Sequence, residues 1–258
     1  MIAGLNLFSI RNLIKTEEDF LDTAKKLRNM GYAYMQYSGG PFEPERIARV
    51  SREVGLPVYL THVPMDRIIG DTEKLMDEHE MFGCKNIGLG MLPLEITVND
   101  EECKKKIAEL EDAAIRMEKR GFKFFYHHHH YEFYKNSDGE CVIDYIIKNA
   151  PHINFTLDTY WLQYGGVDIL SFIDKVKGRI GCVHLKDYRI FATENDGKYS
   201  LDPKFAPVGD GTINFARVIE KMREAGTEYF FVEQDNAATL PDTLGQVERS
   251  IKYINERL

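Results

Sequence analysis

Four places in this 258-residue sequence set metal-ligating or proton-moving side chains directly after short apolar runs. They read YHHHHYEF around His127, FTLDTYW around Asp158, CVHLKD around His184 and FFVEQD around Glu233. A carboxylate or imidazole at the end of a buried strand is costly unless it is paired or holds an ion. One Asp in such a place ordinarily caps a helix, and one His is ordinarily a satisfied core or surface residue. Asp158, His184 and Glu233, ending three successive strands, point instead to a shared divalent cation. Mixed carboxylate and imidazole donors suit Mn²⁺ and also Fe²⁺, Co²⁺, Ni²⁺ or Zn²⁺, with Mg²⁺ admissible on the oxygen side.

The histidine run at 127–130 is flanked by FKFFY and YEF, so it belongs to a strand-to-loop passage and not to a tag. Side chains alternate along a strand. Phe125 shares the parity of His127 and His129 and should fill a barrel interior, which sends those two histidines inward. His128 and His130 are left with supporting roles.

These residues need a scaffold that gathers strand ends. Apolar runs recur at residues 2–8, 33–37, 58–62, 86–90, 123–127, 154–158, 181–184 and 229–233, and amphipathic stretches such as EEDFLDTAKKLRNM and INFARVIEKMREA lie between them. Runs that are apolar without alternation suit parallel strands buried on both faces. Helix ends are marked by Gly in RNMGY, REVGLP, EKRGF and REAGT. Helix starts are marked by Thr16 and Asn99 ahead of acids, and by Pro44. Eight regular units without a linker predict a single (β/α)₈ barrel over residues 1–258, a fold of about 250 residues whose chemistry sits where the strands finish. A doubly wound sheet would not need eight such units. Residues 187–207 show no clear periodicity and are read as a substrate-covering loop on the catalytic face. Gly209, Asp210 and Gly211 are read as a turn into a helix at Asn214 in preference to a phosphate cradle.

A net charge of −8 without a basic block argues against nucleic acid, which needs clustered Lys and Arg. No apolar run approaches the ~18 residues of a membrane span, and the N-terminus reads as a strand and not as a signal peptide. Cys84, Cys103, Cys141 and Cys182 show no CxxC spacing and read as reduced thiols of a cytoplasmic protein. Homo-oligomerisation is left open.

The chain resembles the sugar isomerase/epimerase superfamily with the xylose-isomerase-like TIM barrel, which includes ketose 3-epimerases and inosose dehydratases. GLNLFSIRN is similar to its first-strand motif, YHHHHYEF to its fifth, LDTYWLQYGGVD to its sixth, and RIGCVHLKD, VGDGTINF and YFFVEQD to its last two units. The resemblance covers nearly the whole length and implies a four-ligand metal site with Asp158, His184 and Glu233 as ligands. The fourth position departs from the family pattern. His127 stands where ketose 3-epimerases carry a Glu, and Glu132 beyond the strand is expected to supply the carboxylate, with His127 as the other candidate. Lys186 and Asp187 are expected either to touch substrate oxygens or to orient one another as a surface pair. Trp161 would stack on a sugar ring or pack in the core, and His62 would line the pocket or pack in the core.

The activity so implied is metal-dependent isomerisation or epimerisation of a small keto sugar through an enediolate, with Glu233 as one base and His127, His129 or Glu132 as the other. With a single base, the same intermediate would expel a β-substituent, as an inosose dehydratase or a 3-keto-glycoside-cleaving lyase does. An endonuclease of the same superfamily would need ligands for three metals and a basic face, which the sequence lacks. A non-catalytic sugar-binding homologue is the remaining alternative.

Overall fold

A computed structural model describes residues 1–258. The strands are β1 (Gly4–Asn6), β2 (Tyr34–Tyr37), β3 (Val58–Val63), β4 (Asn86–Leu89), β5 (Lys123–His127), β6 (Ile153–Asp158), β7 (Ile180–Leu185), β8 (Asp187–Asn195), β9 (Lys198–Ala206) and β10 (Tyr229–Val232). Eight of them close a parallel barrel in the order β1-β10-β7-β6-β5-β4-β3-β2, and helices such as Glu17–Met30 and Asp100–Lys119 surround it. The (β/α)₈ expectation is met. No helix is long and apolar enough to cross a membrane.

Local signals explain the element boundaries. Thr16 and Asp19 form a reciprocal capping box at the start of helix Glu17–Met30, and Gly31 ends it at φ 103°. Pro44 opens helix Pro44–Val54 at a position where its missing N–H costs nothing. Strand parity then sorts the core into two layers. Tyr34, Leu60, Phe125, Cys182 and Phe231 fill the barrel interior, while Phe124, Tyr126, Leu157, Val183 and Val232 pack outward against the helices. The interior plug forms a floor, and the polar strand ends stand above it.

Two expectations are corrected. The first strand stops at Asn6, because Asn6 Oδ1 accepts a hydrogen bond from the Phe8 amide and starts the 3-10 segment Leu7–Leu13. The stretch read as a loop at 187–207 is mostly an antiparallel hairpin of β8 and β9, in register from Asp187↔Ala206 to Asn195↔Lys198. Its two-residue turn is Asp196-Gly197, with φ 50° and 71°, the left-handed pair that a tight hairpin turn requires.

Candidate metal centre and cleft

Asp158 ends β6 in register with His184 of β7, and the Glu233 amide extends the β10 ladder onto the Leu185 carbonyl. These strand ends and that of β5 bring together His127, Asp158, His184 and Glu233. One donor atom from each lies within 4.8 Å of all the others, and all four side chains are buried. His184 Nδ1 is 2.8 Å from Glu233 Oε2 and 3.6 Å from Asp158 Oδ2, yet is aligned as a hydrogen-bond partner to neither. His127 Nε2 lies 3.4 Å from Asp158 Oδ2.

The surrounding hydrogen bonds fix which lone pairs face inward. His127 Nδ1 is 2.8 Å from the Gly90 carbonyl oxygen, which can only accept, so Nδ1 carries the proton and Nε2 presents its lone pair. His184 Nε2 donates to Gln36 Oε1 at 2.8 Å, leaving Nδ1 for the centre, and Gln36 Nε2 in turn donates to Ser38 Oγ at 3.1 Å. Metal-ligating histidines are held in this way by their other ring nitrogen. Asn6 Nδ2 donates to Glu233 Oε1 at 2.6 Å, and Asp158 Oδ1 accepts from the Trp161 amide at 3.0 Å while Oδ2 faces the group. The Asp158 amide donates to His128 Nε2 at 3.2 Å, a supporting role for that histidine.

The field at this point favours positive charge. Burial alone would raise the carboxyls of Asp158 and Glu233, but Lys186 and the adjacent imidazoles outweigh it and hold both well below the usual carboxylate range. Burial opposes a proton on His184, yet Glu233 and Asp158 push its pKa up to about 9. Two imidazoles whose inward nitrogens can give up any proton to a metal, and two ionised carboxylates, are a donor set that fits a divalent cation.

Beside this centre opens a cleft of about 810 Å³ lined by His62, His127, His129, Lys186, Glu233 and Asp235 on its polar side. Lys186, 1% exposed, sets its ammonium 2.7 Å from Asp235, 3.2 Å from Glu233 and 3.5 Å from Asp158. His62 stacks on His127 with ring centroids 5.4 Å apart, and its buried Nε2 has no partner. Tyr131 donates its hydroxyl proton to the Leu92 carbonyl and so accepts from His129 Nδ1, which leaves His129 Nε2 unprotonated. Burial, reinforced by His127, keeps the His129 imidazole neutral. Trp161 stacks on the exposed ring of His130, with its ring 5.1 Å from Lys186 Nζ.

Two predicted site residues lie elsewhere. Glu132 is buried outside the four-residue group, accepting from the Tyr126 hydroxyl at 2.9 Å and the His129 amide at 2.8 Å; His127 occupies the place expected of it. The short turn Tyr131–Phe133 folds Glu132 back beneath the strand end, and burial pushes its carboxyl up to about 7. Asp187 neither faces the cleft nor forms a surface pair with Lys186. One residue beyond the inward Lys186, it turns the other way, and its carboxylate accepts from the amides of Tyr188, Gly209, Gly211 and Ile213. The Gly209 segment is therefore a clasped turn. Sequence reading missed Asn6, Gln36, Gly90 and Asp235; polar Asn6 and Gln36 inside apolar strand runs were the available signal.

Among relatives, an inosose dehydratase of Clostridium perfringens strain 13 is 24% identical over 282 aligned positions, covering 99% of this chain and 86% of that protein. A sugar phosphate isomerase/epimerase from Parabacteroides distasonis ATCC 8503 superposes with a TM-score of 0.81 at 20% identity, over 99% of this chain and 93% of that one. An L-ribulose 3-epimerase gives 0.69 at 16%, over 99% and 94%. The structural likenesses show the shared fold. Residues 24–257 match the family described as Xylose isomerase-like TIM barrel, and the chain belongs to that family.

Proposed function

We propose that this protein is a metal-dependent isomerase or epimerase of a small keto sugar that removes a proton from the carbon beside the carbonyl. The observation that carries this reading is the group His127, Asp158, His184 and Glu233, with both imidazole protons tied to outer acceptors so that lone pairs converge. These four would hold the ion, which when bound polarises the carbonyl and its neighbouring hydroxyl and lowers the energy of the enediolate. Manganese is the ion we would supply first.

The chain's own groups then move the proton. Glu233 is oriented by Asn6 and Lys186, and His129 presents a free Nε2 to the cleft. They follow the ends of β10 and β5, three places apart around the barrel, so a sugar bound between them would meet one on each side. One takes the proton and the other returns one, which inverts or shifts the centre. Lys186 is a positioning residue here, since its donors are engaged by carboxylates. His62, on the cleft wall, is assigned to contact with the substrate. The free cysteines fit a reducing, cytoplasmic setting.

A second reading, β-elimination of water, is favoured by the curated relatives, which are named inosose dehydratases. It uses the same proton abstraction with loss of the β-hydroxyl. Keto sugars and inososes incubated in D₂O with Mn²⁺ separate the two. Isomerases and epimerases exchange the α-proton and return a sugar of unchanged composition apart from the deuterium taken up from solvent. A dehydratase forms an unsaturated ketone and water. Neither exchange nor dehydration with any of them, while metal is bound, would leave only a sugar-binding role.

A further inference from the structure

Resting on that reading, we infer that the site takes an uncharged sugar bearing an apolar substituent, not a sugar phosphate. In (β/α)₈ barrels, phosphate is commonly held by main-chain amides in the loops after the seventh and eighth strands. Here the chain's own carboxylate occupies such amides. Asp187, fully buried, accepts from the amides of Gly209 at 3.0 Å, Gly211 at 3.0 Å and Ile213 at 3.4 Å. A Cβ placed on Gly211 would collide with Asp187 Oδ1, so no anion fits between carboxylate and turn.

The cleft offers no replacement cation. Lys186 is the one Lys or Arg in its wall, and its ammonium is matched by Asp158, Glu233 and Asp235. Asp66 adds another carboxylate to the wall. Arg11 is not part of that wall; its Nη1 donates to the carbonyls of Phe8 and Asp235, its guanidinium lies 4.2 Å from the Phe8 ring centroid, and its Nε and Nη2 make it the one cation near the rim to test. Phosphate recognition rests on free Arg or Lys donors, or on amides. A phosphate dianion would meet carboxylates instead.

The opposite wall asks for apolar surface. Small-molecule pockets run to about 300–1,000 Å³, and at about 810 Å³ this cleft exceeds what one sugar ring at the metal fills. Phe8, Phe42, Met65 and Met91 line it away from the polar cluster, and Met91 is 54% exposed. An aryl or other apolar group on the sugar would cover them.

Equilibrium binding with Mn²⁺ present tests this, followed by calorimetry and by the fluorescence of Trp161, the only tryptophan. The probes are a panel of ketohexoses, their 6-phosphates and their 6-O-phenyl ethers, all of which keep the carbonyl. The phenyl ether of the best-binding ketohexose should bind about 10- to 100-fold tighter than the free sugar, and its phosphate about tenfold weaker. Phe42→Ala combined with Met91→Ala should remove the phenyl advantage. A phosphate that binds as tightly as its parent sugar overturns the inference, and loss of that binding in Arg11→Leu would locate the error at the rim. A phenyl group that adds nothing also overturns it, with the sugar reading intact. If no sugar binds while Mn²⁺ remains bound, the sugar reading fails as well.

Discussion

Glu132 links the stability of the fold to pH in a way that a single substitution isolates. Its side chain is fully buried, and burial raises its pKa from 4.5 to about 7, against the hydrogen bonds from the His129 amide and the Tyr126 hydroxyl. A carboxyl raised on folding binds its proton more tightly in the native state. Its contribution is therefore fully present below pH 4.5 and is lost as pH rises through about 7. At 1.36 kcal/mol per pKa unit the full loss is about 3 kcal/mol. In Glu132→Gln the amide oxygen can accept from His129 N–H while the NH₂ donates to Tyr126 Oη, so the variant should fold without that loss. The stability difference, variant minus parent, should grow by about 2–3 kcal/mol between pH 5 and pH 8. In melting temperature this is about 5–10 °C for a chain of this size. Thermal unfolding of both proteins is to be followed by circular dichroism across that range. A chelator must be present so that metal binding adds no linkage of its own. A difference that stays constant from pH 5 to pH 8 would refute the reasoning, since Glu132 would then have the same charge throughout.

Elemental analysis should show His127→Asn and Asp158→Ala strongly depleted in metal and Glu132→Gln fully loaded; the reverse pattern would make Glu132 the fourth ligand. Gln36→Leu removes the acceptor that holds the His184 proton outward, and should weaken metal affinity about 10- to 100-fold. Excess Mn²⁺ should restore occupancy, and an unchanged affinity would show that the tautomer is set otherwise. Asp187→Ala strips the clasp from the amides of Gly209, Gly211 and Ile213. It should cost about 1–3 kcal/mol in denaturant unfolding while leaving metal content unchanged, and loss of metal would place Asp187 in the centre after all.

The barrel was legible because its strands are buried on both faces, so apolar runs such as KFFYH and IGCVHL stand out against amphipathic helices closed by Gly31 and Gly55. The hairpin was not. Most of β8 and nearly all of β9 are exposed or half-exposed, so no burial period marks them, and Tyr199 and Leu201 stand 73% and 70% exposed. Only the Asp196-Gly197 pair carried the signal, as a turn dipeptide between two runs that could otherwise pass for loop.

Three metal candidates were legible for a similar reason: Asp158, His184 and Glu233 break apolar strands where a barrel gathers its ends. The fourth turned on two rules that disagreed. The family pattern asked for a carboxylate and drew attention to Glu132, whereas strand parity through Phe125 sent His127 inward. Parity prevailed, because the position of His127 is fixed by a regular ladder, pairing with Thr156. That of Glu132 depends on an irregular turn, which the sequence does not specify. The same parity, applied further, reaches the residues that were missed. Asn6 and Gln36 are fully buried polar side chains in β1 and β2, and such groups are seldom left without a partner. Asn6 binds Glu233, and Gln36 binds His184. With Gly90 just past the end of β4 holding His127, these outer contacts come from strands that supply no ligand, β1 and β4 beside the ligand strands and β2 from across the barrel. Buried charges need such partners in any case. What these add is direction, turning one donor atom of each residue toward a common point, as the proposed ion would require.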